Sequence, residues 1–115
     1  MPVERGEVYL VDLNPVQGRE QAGRRPVLVL SVNAINRLPL VVTVVVGTKG
    51  ENVSRDYPTN VRVSRAESGL PIETVFLSVQ LRSLDPKKFP TTPAGRVSDA
   101  ALTRIEDAVR YCLGL

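Results

Sequence analysis

The side chains best suited to chemistry lie in one segment, residues 18–31, which has the sequence GREQAGRRPVLVLS. Glu20 supplies a carboxylate and Arg25 a guanidinium, within and just after a loop that two glycines bracket. Glycine is common at such places because it tolerates positive φ angles and the close approach of a ligand. Pro26 biases Arg25 towards an extended conformation, and the apolar run at 27–30 is typical of a buried strand. We therefore expect a carboxylate and a guanidinium at the mouth of a rigid strand.

Several kinds of catalytic site are excluded by the residue types that the chain lacks. It contains no histidine and a single cysteine, Cys112, which argues against the usual catalytic triads, zinc sites and disulfides. The glycines do not fall at the spacings of a P-loop or a dinucleotide fingerprint. Carboxylate, guanidinium and hydroxyl groups remain. They suit the attack of an RNA 2′-hydroxyl on its adjacent phosphate, because the substrate brings its own nucleophile and no metal or cofactor is needed.

The composition favours an anionic partner. The 115 residues include 15 lysines and arginines against 12 acids, for a formal net charge of +3, and most of the positive residues are arginines, whose planar fork suits phosphate. Only five aromatic residues occur, so an extended base-stacking platform is not expected. We expect one soluble domain, residues 1–115, without a signal peptide or membrane-spanning helix, in the reducing cytoplasm.

Hydrophobic patterning predicts five or six short strands followed by one helix. β-Branched and alternating runs indicate strands at 7–13, 27–31, 40–46, 60–64 and 74–79, the last continuing past a bend to 84. Ser98 is predicted to cap, and Gly114 to end, an amphipathic helix whose buried stripe is Leu102, Ile105, Val109 and Cys112. The segments 33–39, 48–58 and 87–95 are predicted to be irregular. This order indicates a mainly β fold, a small antiparallel barrel with a C-terminal helix.

The motifs in combination resemble those of one protein family. RGEVYLVDLNP is followed by GREQAGRRPVLVLS, by a valine-rich strand that ends in Thr48, by Tyr57 and Pro58, and by LSVQLRSLD. Together they resemble the MazF/PemK family of toxin endoribonucleases over nearly the whole chain. The resemblance implies an SH3-like barrel, a homodimer and inhibition by a cognate acidic, MazE-like antitoxin. It also implies metal-independent cleavage of single-stranded RNA at short sequences, which leaves 2′,3′-cyclic phosphate and 5′-hydroxyl ends.

The resemblance assigns three catalytic positions. The family's catalytic arginine falls on Arg25, its threonine on Thr48 and its loop carboxylate on Glu20. Arginine stays charged at physiological pH, so Arg25 is suited to stabilising the charge of the phosphorane and not to taking a proton. Glu20 is then the candidate general base, and Thr48 is expected to donate a hydrogen bond to a phosphate oxygen.

A further set of polar residues is assigned to RNA binding. Gln21, Gln80 and Arg82 match family positions near the RNA path, and the other residues in this set are Arg19, Arg24 and Lys49. The chain departs from the family in two places. Arg19 stands where serine is common, and the run at 45–47 replaces one that often contains proline. Both departures leave the cleavage sequence open.

Other interpretations stay open at this point. Arg25 and Glu20 could form no more than a surface ion pair, worth about 0 to 1 kcal/mol, and Thr48 could only make a turn hydrogen bond. Gln80 and Arg82 could be an exposed strand face. The chain could share the fold but poison DNA gyrase, as CcdB toxins do, although those toxins lack the GREQAGRRP loop. A catalytically inactive barrel that binds RNA or protein is the third alternative.

Overall fold

The computed structural model describes residues 2–20, 22–38 and 40–115. Within them the chain forms six strands, which are β1 (Glu7–Asp12), β2 (Arg24–Val29), β3 (Val42–Lys49), β4 (Asn60–Val63), β5 (Thr74–Leu84) and β6 (Gly95–Arg96). The helices are α1 (Asn33–Asn36), α2 (Arg65–Ser68) and α3 (Asp99–Leu113), and short 3-10 turns occupy Gly50–Asn52 and Pro86–Lys88. None of the described helices combines the length and the apolar character needed to cross a membrane.

The strands form one sheet in the order β4-β5-β3-β2-β1-β6. Every neighbouring pair is antiparallel, and the sheet curls into a half-barrel with α3 packed against β4 and β5. The predicted class, a mainly β, SH3-like antiparallel barrel with a C-terminal helix, is thus confirmed. The valine-rich strand is central, as predicted, because β3 lies between β5 and β2.

The sheet is buried on both faces, which explains why its central strands are nearly continuous apolar runs. One face packs against α3 through a cluster that includes Phe76 and Ile105. Side chains of β3 alternate between this cluster and a second one on the opposite face, since successive side chains of a strand point to opposite sides. Val45 belongs to the first cluster, and Val44 and Val46 belong to the second.

β3 begins at Val42, two residues later than its sequence predicts, and extends further at its C-terminal end. The valine run predicts a strand at 40–46 that ends at Gly47, whereas the observed strand continues through Thr48 and Lys49. Gly47 is a packing position, because an added Cβ would lie 3.1 Å from two ring carbons of Phe76. Gly47 therefore allows the close approach of the Phe76 ring and does not end the strand. Thr48 is therefore held within the sheet and not in a loop.

β5 is a single strand of 11 residues with an irregular register. β3 pairs Val46 with Leu77 but Val45 with Leu81, so residues 78–80 of β5 bulge from the ladder. The bend predicted after residue 79 corresponds to this bulge. Three elements are not predicted from the sequence, namely α1, α2 and β6. Each has four residues or fewer and is too short to produce a periodic pattern.

α3 agrees with its prediction. It spans Asp99–Leu113, the Ser98 hydroxyl caps its first turn, and Gly114 takes a left-handed conformation with φ of +71°. Ile105 is fully buried, as expected. Cys112, in the last turn of the helix, is only half-buried, so the prediction that this side chain is buried is wrong.

Glu67 links α2 to α3. Its carboxylate accepts hydrogen bonds from Arg104 at 2.9 and 3.1 Å, and it completes a capping box with Ser64 at the start of α2. Arg104 first, and the backbone N–H of Ser64 second, lower the pKa of Glu67 from 4.5 to about 2. Between these pH values the folded state binds fewer protons than the unfolded state. The stabilisation is therefore complete above pH 4.5 and is lost as the pH falls towards 2.

Glu67→Gln is expected to lower the melting temperature at neutral pH, with a deficit that shrinks as the pH falls towards 2. The reason is that glutamine, like a protonated glutamate, offers no charge to Arg104. Thermal unfolding followed by circular dichroism at several pH values measures the deficit. Glu51→Gln, which neutralises an exposed carboxylate elsewhere, is the matched control. A deficit in melting temperature of the same size at every pH would mean that the charge of Glu67 is not the source of the stabilisation.

Candidate active site

Arg25 is the second residue of β2 and lies opposite Val11 of β1, so the structure places it just inside the strand and not at its mouth. Its Nε donates a hydrogen bond to the backbone oxygen of Ala22 at 2.9 Å, and its Nη1 donates to Oγ1 of Thr48 at 3.3 Å. A guanidinium has five N–H groups. Since these two contacts use one N–H each, the others are able to donate to a phosphate.

Thr48 meets Arg25 through the register of two neighbouring strands. The pairs of β2 with β3 end at Val27 and Val46, and the same register continued for two residues leads to positions 25 and 48, whose side chains form the hydrogen bond. Thr48 is only 5% exposed, so its hydroxyl lies at the edge of the protein interior. We call these two residues the Arg25–Thr48 pair. It joins a fixed positive charge to a neighbouring hydroxyl, as the sequence resemblance implies.

Asn52 is a third polar group at the Arg25–Thr48 pair, and the sequence did not predict it. The side-chain Nδ2 of Asn52 donates a hydrogen bond to Oγ1 of Thr48 at 3.1 Å. The 3-10 turn Gly50–Asn52 brings the amide back towards the end of β3. The only signal in the sequence is a polar residue four positions after Thr48, which is too common to indicate a contact by itself.

Glu20 lies in the loop between β1 and β2 and is exposed. Its Oε1 accepts a hydrogen bond from the backbone N–H of Gln17 at 2.6 Å, so the carboxylate stabilises a turn of its own loop. Within the described residues no ion pair joins Glu20 to Arg25. The surface ion pair considered from the sequence is thus not found there, and Glu20 does not contact the Arg25–Thr48 pair.

Gln80 and Arg82, two residues apart on β5, both donate to backbone oxygens of the segment that leads from β1 to β2. Nε2 of Gln80 binds the backbone oxygen of Arg19 at 3.2 Å, and Nη1 of Arg82 binds that of Leu13 at 3.0 Å. Gln80 belongs to the β5 bulge, which brings its amide to this segment. The two side chains therefore tie β5 to the segment that carries Glu20.

The remaining residues assigned to RNA binding are placed as follows. Arg19 is exposed in the loop, Arg24 begins β2 opposite Asp12, and Lys49 is exposed at the end of β3. Lys49 directly follows Thr48, so its charge lies close along the chain to the Arg25–Thr48 pair. Gln21 lies outside the described residues.

A cavity of about 610 Å³ lies apart from the Arg25–Thr48 pair, lined by residues that include Glu7, Tyr9 and Phe89. Among residues 2–20, 22–38 and 40–115, no three side chains of histidine, cysteine, aspartate or glutamate are grouped so that they could hold a metal ion. The groups present at the pair itself are a guanidinium, a hydroxyl and an amide. They can donate hydrogen bonds to an anion and stabilise negative charge.

Comparison with known proteins agrees with this geometry. Residues 4–113 match the family model described as PemK-like, MazF-like toxin of type II toxin-antitoxin system. The chain is 34% identical over 113 residues to Endoribonuclease MazF of Staphylococcus epidermidis, an alignment that covers 98% of this chain and 92% of the relative.

Solved structures show the same fold. A crystal structure of MazF from Deinococcus radiodurans has a TM-score of 0.83 and 25% identity, covering 100% of this chain and 99% of that one. An endoribonuclease from a mycobacterial species, in complex with its cognate antitoxin, has a TM-score of 0.80 and 27% identity, covering 98% and 96%. These matches and the family model confirm the resemblance found in the sequence, and the chain therefore belongs to the PemK-like, MazF-like toxin family of type II toxin-antitoxin systems.

Proposed function

We propose that this chain is an endoribonuclease toxin that cleaves single-stranded RNA, as the name of its staphylococcal relative indicates for that protein. The observation that supports this most directly is the Arg25–Thr48 pair, in which Nη1 and Oγ1 are 3.3 Å apart. A gyrase poison of the same fold would need neither side chain. Family membership and the GREQAGRRP loop therefore favour the ribonuclease over that alternative and over an inactive barrel.

The mechanism that suits these groups is attack by the RNA's own 2′-hydroxyl. The 2′-oxygen forms a bond to the adjacent phosphorus while the bond from phosphorus to the 5′-oxygen breaks, which leaves a 2′,3′-cyclic phosphate and a 5′-hydroxyl. Arg25 stabilises the negative charge that develops on the phosphorane. Thr48 donates a hydrogen bond to a non-bridging oxygen. The leaving 5′-oxygen gains a proton from solvent. The proposed step uses no metal or cofactor.

Glu20 is proposed as the general base that takes the proton of the 2′-hydroxyl. Its carboxylate is exposed, and its loop is joined to Arg25 through the backbone oxygen of Ala22. Catalytic hydrogen bonds often form only when the substrate is bound, so a carboxylate that bonds to its own loop in the free protein is compatible with this role. The pH profile of kcat/KM tests it, because Glu20→Gln should remove the acidic limb. An unchanged profile would rule out Glu20 as the base.

The proposed activity is tested with purified protein and a single-stranded RNA in the presence of EDTA. We expect cleavage to continue in EDTA and the downstream fragments to carry 5′-hydroxyl ends. Replacing the 2′-hydroxyl by hydrogen at the cleaved nucleotide should abolish cleavage at that bond, because the nucleophile is missing. A requirement for added divalent metal, or 5′-phosphate ends, would contradict the mechanism. Primer extension on a long RNA would reveal the cleavage sequence in the same experiment.

We propose that RNA passes over the residues Arg19, Gln21, Arg24, Lys49, Gln80 and Arg82. Support comes from the exposed positive charges of Arg19, Arg24 and Lys49 and from the contacts that tie β5 to the β1–β2 segment. Removing a positive side chain that contacts an RNA phosphate should weaken RNA binding and reduce the salt dependence of that binding. RNA binding by Arg24→Ala, measured at several salt concentrations, tests the path, and an unchanged salt slope would remove Arg24 from it.

A cognate antitoxin with an acidic, partly disordered, MazE-like segment is the proposed protein partner. The mycobacterial relative was solved with its own antitoxin. An acidic chain would compete with RNA for the same exposed positive charges. Polyglutamate is a simple probe of this idea. It should inhibit cleavage at low salt and lose its effect at high salt, and cleavage that polyglutamate leaves unaffected would contradict electrostatic competition.

We further propose that the toxin is a homodimer of a single domain, residues 1–115, and that it acts in the cytoplasm, where its RNA substrate is found. Support for the dimer is a group of apolar side chains that are 44–58% exposed, namely Val32, Ile35, Leu38, Leu40 and Val41. Light scattering after gel filtration measures the mass. A monomer at micromolar concentration would contradict the dimer.

A further inference from the structure

We propose that Asn52 is a positioning residue that orients the hydroxyl of Thr48, so that its hydrogen points towards the substrate phosphate. A threonine hydroxyl has one hydrogen to donate and two lone pairs that accept. Oγ1 of Thr48 accepts from Nη1 of Arg25 at 3.3 Å and from Nδ2 of Asn52 at 3.1 Å. Both lone pairs are then occupied, and the hydrogen is left as the only group of this hydroxyl that can bind an incoming oxygen.

The position of Asn52 is itself fixed by Arg62 of β4. The Arg62 guanidinium donates to the backbone oxygen of Gly50 at 3.2 Å and to that of Val53 at 2.9 Å, one on each side of Asn52 in the chain. It also pairs with Glu73 at 2.9 Å. We call these contacts the Arg62 clamp. They hold the turn in place from β4, the next strand along the chain, so the amide of Asn52 needs little ordering when substrate binds.

Gly50 is part of the reason that the Arg62 clamp can form. A Cβ added at this residue would lie 2.6 Å from Oε1 of Glu73 and 3.1 Å from Nη1 of Arg62. Any larger residue would therefore push these charged groups away from the turn. The backbone N–H of Gly50 also donates to the backbone oxygen of Glu73 at 2.9 Å, which fixes the turn against the residue that directly precedes β5.

Orientation of a hydroxyl affects the reaction more than the binding of substrate, because its hydrogen bond strengthens as charge develops on the phosphate oxygens. Asn52→Ala should therefore lower kcat about 10-fold, the effect of losing one hydrogen bond of about 1.4 kcal/mol, and leave KM nearly unchanged. Asn52→Asp should lower kcat further, because a carboxylate accepts the hydroxyl hydrogen that the phosphate requires.

The controls are Ser54→Ala and Ser54→Asp, which make the same kinds of change at an exposed residue two positions further along the loop. They should leave kcat close to that of the wild type, so that any general effect of an added charge is measured separately. Steady-state cleavage of a short RNA gives kcat and KM for all five proteins, and melting temperatures check that each is folded. A merely structural role of Asn52 would lower the melting temperature and raise KM without changing kcat.

The role of Asn52 rests on the proposed ribonuclease activity, but the experiment distinguishes a failure of the proposed activity from a failure of the proposed role. Wild-type protein that leaves single-stranded RNA intact would overturn the proposed function and the role of Asn52 with it. Active wild-type protein whose kcat is the same as that of Asn52→Ala would overturn only the role of Asn52. A kcat for Asn52→Asp that equals or exceeds that of Asn52→Ala would also contradict the proposed direction of the hydroxyl hydrogen.

Discussion

Replacing Arg25 with alanine is expected to abolish RNA cleavage, with a loss of about 1,000-fold or more in kcat/KM. Arg25 is the charged member of the Arg25–Thr48 pair, and its guanidinium is held by the backbone oxygen of Ala22 as well as by Thr48. Such preorganised charge stabilises a crowded phosphorane without further rearrangement. Cleavage of a short RNA under single-turnover conditions measures the loss even when the remaining rate is very low.

Two further variants show whether cleavage depends on the planar guanidinium of Arg25, on a positive charge at this position, or only on the net charge of the protein. Arg25→Lys keeps the charge but loses the planar fork, so it should recover only a small part of the activity. Arg65→Ala removes an exposed arginine of α2 and changes the net charge as Arg25→Ala does, and it should cleave at nearly the wild-type rate. Full activity of Arg25→Ala, in a protein whose circular dichroism spectrum is unchanged, would remove Arg25 from the mechanism.

Thr48→Val is expected to lower kcat about 100-fold, the second largest effect among the variants considered. Valine has nearly the shape of threonine and is well suited to a strand, so this change removes the hydroxyl while β3 is retained. It leaves Nη1 of Arg25 and Nδ2 of Asn52 facing a methyl group. Because Asn52 is exposed and Arg25 is half-buried, water can bind the donors left unpaired, and the cost in the free energy of unfolding should be only about 1 kcal/mol.

Thr48→Ser is the matched control for this prediction. It keeps the hydroxyl and removes only the methyl group, so its kcat should stay within about 10-fold of the wild type. Urea unfolding of both variants shows how much of any loss comes from stability, and the cleavage rate is measured where each protein is folded. Equal kcat values for the valine and serine variants would mean that the hydroxyl takes no part in the reaction.

The sequence identifies most residues of the candidate site, but it does not predict the contacts between them. Pro26 and the apolar run after it place Arg25 near the start of a strand by local rules, but its partner Thr48 was assigned through the family resemblance. The contact between them depends on the pairing of Val27 with Val46, which joins two strands separated by residues 30–41, a stretch that includes α1. No short segment of sequence contains that information.

Gln80 and Arg82, which the sequence assigns to RNA binding, also make contacts within the protein that the sequence does not predict. The sequence places both on one face of a strand and the resemblance places both near RNA. In the structure each donates to a backbone oxygen of the β1–β2 segment, and Gln80 does so from a bulge that shifts the register of β5. Their effect on RNA is therefore expected to include the position of this segment as well as direct contact.

The sequence by itself determined the class of the fold and the position of its terminal helix. These follow from local properties, since β-branched residues favour strands, and Ser98 and Gly114 satisfy the two ends of α3. Only the tertiary structure decided that Gly47 continues β3, because a ring of Phe76 occupies the space that a side chain would need. It also brought Asn52 to Thr48, since the Arg62 clamp joins groups that are distant in sequence. Contacts of this kind depend on how separate elements pack, and no local preference of the chain specifies them.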